Sequence, residues 1–142
     1  MKLPSEKSIT QIHDLKIVAH ELSQLFQPGD VVVLNGNLGT GKTTLVKHIC
    51  GEYGINDVNS PSFSIVNEYI GKHRVYHFDF YRLKKITELY DIGFEEYLND
   101  DSATVFIEWG NLFKEILPST YFRLDLQLAD NNDRKIFISK KN

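Results

Sequence analysis

The sequence predicts a single α/β domain spanning residues 1–142, folded as three layers around a mixed sheet. Three observations predict it. The continuous apolar run Val31-Val32-Val33-Leu34 reads as a central strand covered on both faces. That run passes through a glycine-rich turn into a segment of helical period. Further along, Phe63–Ile70 with Arg74–Phe80, and Phe122–Leu128 with Lys135–Ser139, alternate in the manner of antiparallel hairpins. The hairpins interrupt a pure strand–helix alternation, so the sheet is expected to be mixed.

Taken in order, Leu15, Val18, Ala19, Leu22, Leu25 and Phe26 recur at helical spacing and predict a helix over 13–26, which Pro28-Gly29-Asp30 stops. After the glycine-rich turn, Leu45, Val46, Ile49, Cys50 and Tyr53 return to that period. Gly71-Lys72-His73 joins the first hairpin. Residues 86–98 read as one or two short helices broken at Gly93. Thr104–Ile107 is a short apolar strand, Asn111–Leu117 reads as helical up to Pro118, and the last hairpin turns at Asp130–Asp133. Lys140-Lys141 reads as a solvated tail.

Charge and cysteine content narrow the function. Lys and Arg number 16 against 19 Asp and Glu, a net charge of −3. A basic nucleic-acid binder carries the opposite balance, so any RNA involved is gripped by something else. Cys50 stands alone, which excludes an intramolecular disulfide and a cysteine metal cluster; its helical apolar setting marks it as a small buried filler. The opening MKLPSEKSIT has no apolar signal region, and no apolar run approaches the ~18 residues of a membrane span. A cytoplasmic protein without membrane attachment is expected.

Gly36-Asn37-Leu38-Gly39-Thr40-Gly41-Lys42-Thr43 matches G-x-x-x-x-G-K-[ST] in full, and Thr44 follows it. A polyphosphate needs several donors aimed at one point, and a tightly curled backbone supplies them as successive N–H groups. Gly36, Gly39 and Gly41 permit the curl, and the helix beginning near Lys42 offers its positive end. Lys42 reaches β- and γ-phosphates, and the Thr43 hydroxyl is a ligand for Mg²⁺. A P-loop NTPase-like domain binding a nucleoside triphosphate is the expectation. Neither N-K-x-D nor T-K-x-D, the guanine-reading patterns, occurs in the chain, which favours ATP.

Such a site takes a carboxylate from the end of a neighbouring strand to position Mg²⁺ or the attacking water. Glu108 follows Thr104-Val105-Phe106-Ile107, and Asp79 follows Val75-Tyr76-His77-Phe78. A surface carboxylate is the alternative for Glu108, and a turn-forming or Arg82-paired aspartate for Asp79. Arg82 reads either as that ion-pair partner or as a cation near the γ-phosphate. His13, His20, His48 and His73 show no metal-ligand spacing, and His77 reads as a packing residue on its strand.

Four segments together resemble a known family. Gly36–Thr44 (GNLGTGKTT), Ser60–Tyr69 (SPSFSIVNEY), His77–Leu83 (HFDFYRL) and Ile107–Gly110 (IEWG) stand in the order and spacing of the TsaE (YjeE) ATPases, small bacterial proteins of tRNA threonylcarbamoyladenosine synthesis. The resemblance covers nearly the whole chain. It implies that Lys42 and Thr43 serve phosphate and Mg²⁺ and that Glu108 replaces the usual Walker-B aspartate on the metal; with the strand-end Asp79, Lys42 and Glu108 are the expected catalytic residues. It implies that Ser60, Pro61 and Ser62 form a switch-like loop facing the γ-phosphate, Ser62 standing where relatives often carry Thr. Trp109 resembles the family's aromatic beside the active site, with a core tryptophan as the alternative. The implied function is a Mg²⁺-dependent ATPase, weak alone, that acts on the TsaB–TsaD pair and meets tRNA only through those partners.

Two other readings fit the loop alone. A small-molecule P-loop kinase ordinarily has an arginine-bearing lid, and none of Arg74, Arg82, Arg123 and Arg134 lies in a lid-like insertion. A non-hydrolysing nucleotide-dependent docking module is the other. Thr10 and Asn111 are candidate contacts for the adenine.

Overall fold

The structure, a computed structural model, describes residues 1–58 and 64–142. Seven strands form one sheet: β1 (Ser5–Ile9), β2 (Val31–Asn35), β3 (Val66–Ile70), β4 (Arg74–Asp79), β5 (Ala103–Glu108), β6 (Tyr121–Leu128) and β7 (Arg134–Lys141). Their spatial order is β1-β7-β6-β2-β5-β4-β3. The middle four, β6-β2-β5-β4, pair in parallel, whereas β3, β7 and β1 each join an antiparallel neighbour. The sheet is therefore mixed, as the two hairpins require.

The β2 run explains the layering. Successive side chains leave opposite faces of a strand. Val32 and Leu34 enter a core shared with helices α1 (Ile12–Leu25) and α2 (Lys42–Glu52), which supply Leu15, Val18, Leu22, Leu45 and Ile49. Val31 and Val33 enter a second core with Phe78, Phe80, Leu89 and Phe94, beneath the short helices α3 (Thr87–Asp91) and α4 (Phe94–Leu98). A strand covered on both faces has no use for polar side chains, which is why this stretch reads as unbroken valine and leucine. Truncating fully buried Leu34 to Ala would cost about 2–5 kcal/mol. Aromatic edges fill the second core, with Phe78 and Phe94 centroids 5.0 Å apart at 83°.

The element boundaries follow local chemistry. Asp14 Oδ2 accepts from the backbone N–H and hydroxyl of Thr10 and from the Gln11 N–H, tying down the first turn of α1. At the far end, Gly29 adopts φ +96° and donates its N–H to Ala103 O at 2.8 Å, so the turn before β2 is anchored to β5. Cys50 is fully buried.

Three expectations are corrected, and β1 is a strand that the sequence reading did not anticipate. β1 carries no hydrophobic period, because an edge strand that buries only Ile9 among S-E-K-S-I needs none; ion pairs Lys7–Glu21 and Glu6–Lys135 flank it instead. Asn111–Leu117 is not an α-helix: residues Gly110–Ile116 are 3₁₀ turns broken at Phe113 (φ −136°, ψ 61°), whose ring packs 6.0 Å from Phe80. Lys140 and Lys141 are not a tail but the end of β7, and the Lys140 ammonium sits 4.9 Å from the Phe122 ring centre. His77 does more than pack, as its partner below makes clear. Among the described residues no helix is long and apolar enough to cross a membrane.

Candidate functional site

The site lies at the carboxyl ends of the parallel strands, where β2 turns into α2. Two glycines are structurally required in that turn. At Gly36 a Cβ would fall 2.6 Å from Thr40 Oγ1 and 2.8 Å from the backbone oxygen of Leu126, so β6 leaves no room for a side chain. Gly41 caps α2 at φ +97°, a left-handed conformation costly for other residues. Its carbonyl accepts the Leu45 N–H at 2.9 Å and starts the helix. Thr40 is buried, its hydroxyl donating to Asn37 O at 2.8 Å within the loop.

Lys42 is the first residue of α2 and only 5% exposed. Its ammonium donates to the carbonyls of Gly36 at 2.5 Å and Asn37 at 3.0 Å, and it lies 4.2 Å from the centre of the Trp109 ring. Burial holds its pKa below the ordinary lysine value, with the carboxylates of Glu108 and Asp79 opposing that shift. The loop carbonyls are modest acceptors for an ammonium that an anion would satisfy better.

Opposite Lys42, the register of β4 and β5 pairs Asp79 with Glu108, so the two carboxylates end adjacent parallel strands side by side. Glu108 is 3% exposed, and each of its oxygens lies 2.9 Å from the Thr43 hydroxyl, which shares its proton between them. His77 Nε2 is 2.5 Å from Glu108 Oε2. Asp79 accepts from the Tyr81 N–H at 3.1 Å and pairs with Arg82 Nε at 3.6 Å. Burial, and next the charge of Glu108, raise the Asp79 pKa; the Tyr81 N–H, Arg82 and His77 pull it back.

Trp109 follows β5 in a left-handed conformation (φ 62°, ψ 31°), with its N–H bonded to Leu34 O at 3.1 Å. That turn aims the indole over Lys42 and against Tyr81, centroid to centroid 5.0 Å. A cavity of about 450 Å³ results, lined by Leu38, Gly39, Gly41, Lys42, Thr43, Thr44, Asp79, Arg82, Glu108 and Trp109 from the residues singled out above, together with Tyr81. The donor set is a buried cation, a hydroxyl and two carboxylates. Hydroxyl and carboxylate oxygens suit a hard cation that keeps waters and shares phosphate ligands, so these residues fit Mg²⁺ with a polyphosphate.

Two anticipated residues lie elsewhere. Thr10 lines a separate cavity of about 170 Å³ with Arg134. The Arg134 guanidinium nonetheless reaches the loop, since a Cβ on Gly41 would stand 3.0 Å from its Nη1. Asn111 lines a third cavity of about 370 Å³ with Lys114, Arg123 and Lys141, on the sheet face that Val33 shares with Arg123. Gly36 and Asn37 meet the site through the carbonyls that hold Lys42. Ser60, Pro61 and Ser62 lie outside the described residues. Sequence reasoning missed Tyr81, Arg134 and the His77–Glu108 contact. For His77 a signal existed, because it sits two residues before Asp79 and so shares its strand face.

The protein-family model described as "Threonylcarbamoyl adenosine biosynthesis protein TsaE" matches residues 9–136. The chain is 37% identical over 134 residues to a "tRNA threonylcarbamoyladenosine biosynthesis protein TsaE" of Rickettsia prowazekii, covering 91% of this chain and 90% of that one. It is 36% identical over 125 residues to the protein of that name from Bacillus subtilis, covering 87% and 77%. Among solved structures it resembles Bacillus subtilis YdiB, with a TM-score of 0.79 and 29% identity, over 98% of this chain and 87% of the other.

Proposed function

The chain belongs to the TsaE family, whose place is tRNA threonylcarbamoyladenosine biosynthesis, and on that premise we propose that it binds ATP with Mg²⁺ and hydrolyses it in the service of the TsaB–TsaD pair. One observation carries the reading. The glycine loop, buried Lys42, and the Thr43 hydroxyl facing paired strand-end carboxylates line one cavity. That combination matches what phosphoryl transfer to water demands of a protein.

The chain's own groups divide the work. Loop N–H groups and the α2 amino end bind phosphate oxygens. Lys42 exchanges the Gly36 and Asn37 carbonyls for β- and γ-phosphate oxygens. Thr43 and Glu108 would hold Mg²⁺, which when bound would offset charge on the phosphates. Asp79, with a raised pKa, orients the attacking water beside Glu108. Water oxygen bonds to the γ-phosphorus, the β–γ bridging P–O bond breaks, and ADP leaves with the electron pair. The water protons end on inorganic phosphate and solvent. Arg82 is held by Asp79, away from a fully committed charge-stabilising role, and this supports weak hydrolysis by the chain alone. TsaB–TsaD then raises it.

The experiment is phosphate release by the purified chain with and without TsaB–TsaD, at saturating MgATP. Slow release alone and faster release with the pair is expected. No release in either condition would leave a docking module, and phosphate transfer to an added acceptor would identify a kinase.

A further inference from the structure

The His77 ring is fully buried, and its two nitrogens are treated differently. Nε2 bonds Glu108 Oε2 at 2.5 Å, whereas Nδ1 is buried without a hydrogen-bond partner among the described residues. An orphaned buried polar atom costs free energy. A phenylalanine or leucine would fill the position without that cost, so packing alone does not account for a histidine here.

What Nε2 does depends on the other partner of Glu108. Thr43 lines the cavity, and its hydroxyl rotates; a cation arriving there takes the lone pairs and turns the proton away from the carboxylate. His77 does not line the cavity and has no room to turn away. Of the two side chains among the described residues that hydrogen-bond Glu108 in the resting protein, His77 is the one that remains when Thr43 is engaged. Partners of this kind fix the orientation of a ligating carboxylate.

We infer that His77 is a positioning residue: its Nε2–H pins Glu108 Oε2, so that Oε1 stays aimed across the cavity at the Thr43 side while Thr43 binds the cation. The inference rests on the MgATP reading above. It assigns His77 no contact with nucleotide or metal. Because the ring donates only from Nε2, a side chain offering an N–H at that reach should replace it, and one that is a bond shorter should not.

The test is equilibrium binding of a fluorescent ATP analogue, titrated with Mg²⁺ and repeated in EDTA, for wild type and for His77→Gln, His77→Asn and His77→Leu. The glutamine amide reaches the Nε2 position, the asparagine amide stops at the Nδ1 position, and leucine fills space without a donor. His77→Asn and His77→Leu should need about 10–100-fold more Mg²⁺ for half-maximal tightening. Their EDTA affinities should stay at the wild-type value, and His77→Gln should return the Mg²⁺ midpoint to within a few-fold. An unchanged midpoint in all variants overturns the inference. So does a parallel loss of EDTA affinity, or equal behaviour of Gln and Asn, since either marks a merely structural role. If His77→Leu fails to fold by circular dichroism, the Gln–Asn pair decides. Absence of Mg²⁺-dependent binding in wild type would instead overturn the MgATP reading beneath it.

Discussion

The Lys42 ammonium lies 4.2 Å from the centre of the Trp109 ring while its protons serve the carbonyls of Gly36 and Asn37. Lysine is thus held by its own loop and its own aromatic. A phosphate that draws the ammonium away changes the charge beside the chain's single tryptophan. ATP should therefore produce a saturable change in Trp109 fluorescence, and Lys42→Ala should abolish the response to ATP with unchanged circular dichroism. An equal ATP response in the mutant would remove Lys42 from the binding site.

Glu108→Ala should damage turnover more than affinity. The carboxylate faces Thr43; on the proposed reading it acts on charge that develops during phosphoryl transfer, and interactions of that kind are realised chiefly in the transition state. Steady-state ATPase with TsaB–TsaD should fall about 10²-fold or more, and ATP affinity by far less. Full turnover in Glu108→Ala alongside a dead Asp79→Asn would exchange the two roles.

Asp79 makes a prediction about stability and pH. Its folded pKa is raised above the ordinary 3.8, chiefly by burial, so its ionised form is disfavoured in the native state. The cost is present above the raised folded value and vanishes below the unfolded one. Asp79→Asn, which keeps an acceptor for the Tyr81 N–H, should raise the melting temperature by a few degrees at pH 7. The gain should fade as pH drops through the raised folded value and be gone below 3.8. A gain independent of pH would point to packing rather than charge.

Two of the loop's three glycines, Gly36 and Gly39, should respond differently to alanine. At Gly36 the new Cβ meets the Leu126 backbone oxygen at 2.8 Å, which must move. At Gly39 nothing lies within 4 Å, and only the left-handed backbone, φ +82°, resists. Urea unfolding should show Gly39→Ala losing about 1 kcal/mol, and Gly36→Ala losing more, about 2–3 kcal/mol. Equal losses would mean that β6 yields freely to the loop.

What was legible in the sequence was local. The β2 run, the glycine turn and the start of α2 announce themselves within a few residues, because hydrophobic period, left-handed glycines and a helix start are short-range properties. The site beyond the loop depended on register. Asp79 and Glu108 each read as strand ends, but their pairing, and with it the His77–Glu108 bond, comes from β4 and β5 lying parallel in one alignment. Period carries no information about that alignment. Tyr81 and Arg134 were hidden for a similar reason, one brought in by a single 3₁₀ turn (Phe80–Arg82) after β4 and the other by the return of β7 past the loop. Thr10 and Asn111, both candidates for one base, line different cavities because the sheet separates positions that looked equivalent along the chain.

Strand β2 finds its two neighbours, β5 and β6, only in later parts of the chain. On a ribosome this strand of valine and leucine is therefore made well before either of the strands that pair with it. The elements finished before it, β1 and α1, lend it no ladder hydrogen bonds, since β1 pairs with β7. Until residues 103–108 emerge, Val31–Asn35 has two open edges of the kind that template association with other chains. Release of residues 103–108 closes one of those edges, and release of residues 121–128 closes the other.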